Sequence, residues 1–343
     1  MTPLRFALVG AGAIASAYEA AFKEIREAQI VAVCDVRPGA ALEAAARIGC
    51  EAFTDPSKLA ETIPLDAAII CTPPATHESI AIEFLRNGVN VLCEKPLATT
   101  VESAQRMLDA ARRYNVLLTM ASKFRYVPDV RLAKLLLEMG TIGELVVVEN
   151  AFTSHVDMAN RWNSDPRVSG GGVLIDNGTH AVDILRYFMG PLRDVQIVES
   201  RRIQGLPVED TVHVFVRNDR GVVGTTDLSW SIDKGLTTYL RLYGSQGTIL
   251  VGWKESKYRR RGQNEWRVFG TGYDKTAAFT NQIVNFCGAI TGNAELLISP
   301  RDALASVQVI SAAYAALERS RWEDVSAPIE GIVTAAPLPL EAS

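Results

Sequence analysis

The feature that most constrains this chain is the hexapeptide Gly10-Ala11-Gly12-Ala13-Ile14-Ala15, set between an apolar run, Leu4–Val9, and a helical pattern. It reads G-x-G-x-x-A, an accepted form of the dinucleotide fingerprint. The glycines let the backbone turn tightly and approach a pyrophosphate. The helix that follows offers unpaired N–H groups and a positive dipole end. Alone the hexapeptide is a weak signal; between a first strand and a first helix it is a strong one. Gly10, Gly12, Ala13 and Ile14 are therefore expected to hold a dinucleotide diphosphate.

Asp35 stands 20 residues beyond Ala15, at the end of the second apolar run. A carboxylate there accepts hydrogen bonds from the ribose hydroxyls of NAD and repels the 2′-phosphate of NADP. The bland alternative is a cap for the helix starting near Pro38. Arg37 complicates the choice, since it suits a 2′-phosphate or stacking on adenine. The expected cofactor is NAD, with NADP left open.

The first 120 residues alternate short β-rich runs with helical patterns. Strands are expected at Leu4–Val9, Ile30–Asp35, Ala67–Cys71, Val89–Cys93 and Val116–Met120, and helices near Ile14–Glu27, Ala40–Ile48, His77–Asn87 and Val101–Tyr114. The nearly all-apolar strands fit a parallel sheet covered on both faces. After Met120 the pattern changes. A helix, Asp129–Met139, and a strand, Leu145–Phe152, lead to Gly170-Gly171-Gly172 and a long helix, Val173–Met189, stopped by Gly190-Pro191. From Val195 to Phe269 come strands and turns (Thr211–Val216, Gly221–Trp230, Thr238–Tyr243, Thr248–Val251), which suggest one antiparallel sheet. Helices Ala278–Ile290 and Pro300–Arg319 follow, then an extended tail from Pro328. The reading is α/β plus α+β, with a dinucleotide-binding domain over 1–122 and a substrate and oligomerisation domain over 123–343.

A length of 343 residues suits two domains. A formal net charge of -4 leaves no footprint for nucleic acid. No apolar run is long enough to span a membrane, and the glycines of the apolar N-terminus fit a phosphate turn better than a signal peptide. Five cysteines with no C-x-x-C pair read as buried thiols in a reducing compartment. The expected location is cytoplasmic.

Three segments carry a resemblance. They are Cys71-Thr72-Pro73-Pro74-Ala75-Thr76-His77, Glu94-Lys95-Pro96-Leu97-Ala98, and Gly170-Gly171-Gly172-Val173-Leu174-Ile175-Asp176-Asn177-Gly178-Thr179-His180-Ala181-Val182-Asp183. The sequence resembles the Gfo/Idh/MocA oxidoreductases from Leu4 to about Trp322. Ala15 departs from the glycine of many members. The resemblance implies an N-terminal Rossmann domain and a C-terminal domain with a large open, mainly antiparallel sheet. It also implies packing through that sheet into homodimers or homotetramers, and a cis Lys95–Pro96 bond.

Oxidising an alcohol requires a hydride acceptor, which the cofactor is, and a proton acceptor, which the protein supplies. His180, ordinarily titrating near about 6.5, is the candidate base. Asp176 and Asp183 share its helix face; Asp176 is expected to orient it or to hold a substrate hydroxyl. The Lys95 ammonium suits the developing charge on oxygen. By resemblance Lys95 also touches the nicotinamide ribose, Glu94 and the Thr72-Pro73-His77 loop lie along the dinucleotide, and Asn177 and Arg125 lie near the substrate. Trp162 and Asn163, in a loop before the glycine run, are candidates for the pocket wall, with a core or lid role as the equal alternative. On any helix Asp176 and His180 are as often solvated polar residues; for His77 the plain alternative is a solvent-facing first turn, and for Arg125 a surface ion pair. Asp176, His180 and Asp183 have metal-like spacing, but hydride transfer to NAD needs no metal and none is expected. Gly178 inside a helix implies close approach of ligand or of another element. His155 and His213 read as structural or exposed. Lys257, Arg259, Arg260 and Arg261 read as a solvated hairpin between strands, or as a clamp for an anionic substrate.

The function these readings favour is interconversion of a ring hydroxyl and a ketone on a sugar, sugar derivative or cyclic polyol. The alternatives are an NAD-dependent glycoside hydrolase using transient oxidation and a non-catalytic dinucleotide sensor.

Overall fold

The computed structural model describes residues 2–325; the tail expected from Pro328 lies outside them. The first part of the chain runs β1 (Leu4–Val9), α1 (Ala15–Phe22), β2 (Ala28–Cys34), α2 (Pro38–Ile48), β3 (Glu51–Phe53), α3 (Pro56–Thr62), β4 (Ala67–Ile70), α4 (His77–Arg86), β5 (Asn90–Glu94), α5 (Val101–Tyr114) and β6 (Leu118–Ala121). All six strands are parallel, in the order β3-β2-β1-β4-β5-β6. That is the Rossmann order, and it puts the switch point at the carboxyl ends of β1 and β4. Central strands such as β4 are buried at every residue because helices cover both faces. Local signals set the helix ends: Pro38 and Pro56 occupy first-turn positions, Thr100 caps α5, and Gly49 closes α2 in the left-handed region.

Two elements depart from expectation. The sheet has six strands rather than five, because β3 is an edge strand of 3 residues, too short to show periodicity. Helix α1 ends at Phe22 rather than near Glu27.

The second part runs α6 (Pro128–Glu138), β7 (Leu145–Thr153), the one-turn α7 (Pro166–Ser169), α8 (Val173–Met189), β8 (Asp194–Glu199), β9 (Thr211–Arg217), β10 (Val223–Ser229), β11 (Thr238–Gly244), β12 (Gly247–Gly252), β13 (Ser256–Arg260), β14 (Arg267–Gly270), α9 (Lys275–Ile290), α10 (Pro300–Arg319) and β15 (Glu323–Asp324). Its nine strands form one open sheet, in the order β14-β13-β12-β11-β7-β10-β9-β8-β15. Only the β7–β10 pair is parallel. Alternation along β9 sends Val212, Val214 and Val216 inward, where α8 and α10 cover the sheet. The opposite face carries Val198 and Phe215 exposed. Lys257, Arg259 and Arg260 lie on a strand, β13, rather than between strands; the Arg259 guanidinium stacks 4.7 Å from the Trp266 ring centre.

Helix α9 returns to the first sheet. Its Phe279, Ile283 and Phe286 join the core of Phe6, Leu8 and Tyr18, and Phe279 meets Tyr18 edge-on at 4.8 Å. This packing seats the two sheets around one cleft.

Candidate active site

At the switch point, Gly10 has φ +97°, and a Cβ there would come within 2.8 Å of the Cys71 backbone. A Cβ at Gly12 would meet nothing within 4 Å. One glycine is thus demanded by the turn, and the other leaves open space beside the start of α1, whose N-terminus no side chain caps. Unpaired N–H groups facing an open cradle fit a diphosphate. Asp35 is buried at the carboxyl end of β2. Its carboxylate accepts from Ala11 N (2.8 Å), Arg37 N (2.9 Å) and Arg37 Nε (3.0 Å). Burial alone would raise its pKa, but the Arg37 and Ala11 donors outweigh it and hold the group ionised. Asp35 therefore ties the glycine turn to β2 and presents a fixed negative charge where a ribose diol would lie.

A cavity of about 420 Å³ opens from this edge. Ile14, Thr72, Glu94, Lys95, Asp176, Asn177 and His180 all line it, with Trp162 and Asn163 on the far wall. Lys95 follows β5, and its bond to Pro96 is cis. The Lys95 ammonium donates to the Asp176 carboxylate and, at 3.1 Å, to the Asp176 backbone oxygen. Glu94 is buried and accepts from the Tyr18 hydroxyl at 2.8 Å; burial pushes its carboxyl up, against the opposing pull of Lys95.

Helix α8 carries Asp176, Asn177 and His180, and its start is fixed by a group the sequence did not reveal. Buried Glu209 accepts from Gly172 N (2.9 Å), Leu174 N (3.1 Å) and Tyr314 Oη (2.9 Å), satisfying donors at the head of the helix. A Cβ at Gly172 would strike the Glu209 backbone oxygen, so the glycine run is needed for this close approach. Gly178 faces the sheet instead of the cleft: a Cβ there would meet Leu228 at 3.1 Å and Leu174 at 3.2 Å. Helix packing, not ligand approach, explains it.

His180 is buried, with Nδ1 3.4 Å from Ser122 Oγ and its ring edge-on to Phe124. Burial, then Lys95 and Lys123, depress the His180 pKa well below the ordinary histidine value, which keeps the imidazole neutral. Asp176 is hydrogen-bonded to Lys95 rather than to His180. Asp183 faces Arg125, so the three side chains with metal-like spacing do not converge. Among the described residues no group of three or more His, Cys, Asp or Glu is placed to hold a metal.

Two expectations need correction. Arg125, expected near the substrate or in a surface ion pair, is not on the surface. It is buried, paired with Asp183 at 2.8 Å and Asp302 at 3.5 Å, and does not line the cleft. Its neighbour Lys123 lines it instead. The available signal was position, since Lys123 begins just beyond the carboxyl end of β6, where such sheets bind ligands. His77 is fully buried rather than solvent-facing. Its Nδ1 lies 2.9 Å from Pro96 O and its Nε2 2.8 Å from Thr72 O, so it clamps the Thr72 loop to the cis-proline turn. Pro73 opens the turn that presents Thr72, its carbonyl accepting from Thr76 N at 3.0 Å. Trp253 and Phe279 complete the wall and had no sequence signal.

A Rossmann sheet with a fitted diphosphate cradle, opening into a cleft with a neutral histidine and a lysine, defines a dinucleotide-dependent oxidoreductase. Residues 4–122 match the oxidoreductase family described as having an NAD-binding Rossmann fold, and residues 130–250 match the GFO/IDH/MocA C-terminal domain. The chain belongs to the Gfo/Idh/MocA family and is an NAD(P)-dependent dehydrogenase. It is 29% identical over 254 residues to myo-inositol 2-dehydrogenase of Thermotoga maritima, covering 72% of this chain and 75% of that one. It is 30% identical over 254 residues to trans-1,2-dihydrobenzene-1,2-diol dehydrogenase of Mus musculus, covering 72% and 74%. Its fold superposes on levoglucosan dehydrogenase in complex with NADH and L-sorbose with a TM-score of 0.88, at 24% identity over 95% of this chain and 99% of the other.

Proposed function

We propose that this protein reversibly oxidises a ring hydroxyl of a sugar, sugar derivative or cyclic polyol, with His180 as acid/base and Lys95 and Asp176 beside the reacting oxygen. The observation that carries the reading is the convergence of these three side chains in one cleft at the switch point of the sheet. NAD, when bound, supplies the hydride acceptor. The substrate hydroxyl gives its proton to His180 as its carbon loses hydride, leaving a ketone. The Ser122 hydroxyl, facing Nδ1 of His180, can accept Nδ1–H and so leaves Nε2 unprotonated as the base. Lys95, held by Asp176, donates to the developing alkoxide. Relatives named inositol 2-dehydrogenase and levoglucosan dehydrogenase support a cyclic polyol or sugar substrate.

We further assign the exposed face of the nine-stranded sheet, with Val198 and Phe215, to a homo-oligomer contact, and the five free cysteines to a cytoplasmic location. Among the described residues no helix is long and apolar enough to cross a membrane.

The test is NAD(+) and NADP(+) reduction against cyclic polyols, monosaccharides and nucleotide sugars, with His180→Ala as control. Turnover lost in the variant supports the assignment. No turnover across the panel despite cofactor binding, or glycoside hydrolysis without net NADH, refutes it.

A further inference from the structure

Two lysines and two carboxylates line the cleft, and one ion pair forms among them. Lys95 is paired with Asp176. Glu94 accepts from Tyr18 and from the Lys95 backbone N–H. Lys123 is left over. Among the described residues its ammonium has neither an ion-pair partner nor a hydrogen-bond acceptor, and it rests 5.5 Å from the Phe124 ring centre and 5.6 Å from that of Phe279. Two aromatic faces and the more distant attraction of Glu94 and Asp176 favour the ammonium less than its burial disfavours it. Oxidised nicotinamide would bring a further positive charge into the same cleft. A neutral sugar would balance neither.

We propose that Lys123 binds a carboxylate on the substrate, so that the enzyme acts on sugar acids or carboxylated polyols in preference to neutral ones. This rests on the dehydrogenase reading above and narrows its substrate. The placement separates two tasks. Lys95 and His180, on β5 and α8, attend the reacting hydroxyl. Lys123, just beyond β6, lines the same cavity, whose roughly 420 Å³ suits a monosaccharide-sized ligand. A charge-assisted hydrogen bond from an otherwise unpartnered ammonium gives both affinity and orientation. The other anion within reach of the fold is the cofactor diphosphate, which already has the open cradle at Gly12.

The experiment titrates the enzyme–NADH complex, followed by NADH fluorescence, with hexuronates and aldonates against the matching hexoses and alditols. The variants are Lys123→Gln, Lys123→Arg and Lys275→Gln, the last an exposed lysine nearby on α9 that controls for net charge. The expected result is at least a roughly tenfold preference for the acid in the wild type. That preference falls to near unity in Lys123→Gln and is kept in Lys123→Arg and Lys275→Gln. No preference in the wild type overturns the proposal. So does an equal loss for acid and neutral ligands in Lys123→Gln, which would place Lys123 on a shared hydroxyl. Weakened NADH binding in that variant also overturns it, by assigning the lysine to the diphosphate. Turnover on the same panel keeps the two readings apart. Neutral sugars oxidised without acid preference sink only the Lys123 assignment. Acid preference in binding, with no ligand oxidised, supports the carboxylate site and sinks the dehydrogenase reading.

Discussion

Replacing Arg125 by methionine should cost stability rather than substrate affinity. The guanidinium is buried beneath the cleft, with Asp183 fully buried against it and Asp302 at its other side. Asp302 keeps Arg186 at 3.3 Å when Arg125 is removed. Asp183 keeps no other ion-pair partner among the described residues. Breaking a buried pair in this one-sided way costs about 3–5 kcal/mol. At about 2 °C per kcal/mol for a domain of this size, Tm should fall by roughly 6–10 °C. The loss should shrink at lower pH. Burial already pushes the Asp183 carboxyl up, with Arg125 as the main opposing influence. Without Arg125 its folded-state pKa rises further above the unfolded value, so the folded state binds the proton more tightly and regains stability as pH falls through that folded pKa. Removing both charges, Arg125→Met with Asp183→Leu, should recover much of the loss. The assay is thermal unfolding across pH beside steady-state kinetics. An unchanged Tm with a raised KM for substrate would refute the reasoning and return Arg125 to the substrate.

Further outcomes follow from the same geometry. His180→Ala should lower kcat by about 10²–10⁴-fold with NADH affinity retained, as read by turnover and fluorescence titration. Because burial, Lys95 and Lys123 depress His180, kcat/KM for oxidation should stay flat through about pH 6.5 and fall only further toward acid. Asp35→Ala removes the fixed acceptor and should raise KM for NAD by roughly tenfold or more while narrowing discrimination against NADP. Gly172→Ala forces a Cβ into the Glu209 backbone and should both destabilise the protein and reduce kcat, measured by Tm and turnover, since α8 carries three cleft residues. Burial brings Lys123 to about 8, with Lys95 and Lys275 pulling it down and Glu94 and Asp176 pulling it up. The preference for carboxylated ligands should therefore fade as pH rises through about 8.

The elements legible in the sequence are those whose signals are local. The glycine turn, the β1-α1 junction, the Gly170–Gly172 entry to α8 and its stop at Gly190 all declare themselves within a few residues. Strand β3 did not, because pairing at Ala32↔Glu51 and Cys34↔Phe53 joins residues that carry no pattern of their own. Strand β13 did not, because a strand as charged as Ser256–Arg260 reads like a loop. The parallel β7–β10 pair was equally hidden, since direction belongs to topology and not to either segment.

The same division explains the site. Lys95, Asp176 and His180 sit in motifs, and motif and cleft agree about them. Within Lys123-Phe124-Arg125-Tyr126 the motif pointed to the arginine and the cleft holds the lysine. The reason lies in the one-turn helix that begins just beyond β6. It turns successive side chains in different directions, sending Arg125 to Asp183 and leaving Lys123 in the cleft. What partners an arginine is decided by residues 58 and 177 positions away, Asp183 and Asp302, and no local reading contains them. His77 follows the same logic. Its value lies in joining two loops, Thr72 and Pro96, that the chain separates by 24 residues. A buried residue that bridges two loops at the edge of a cleft can look, in a sequence, like a residue of the cleft itself.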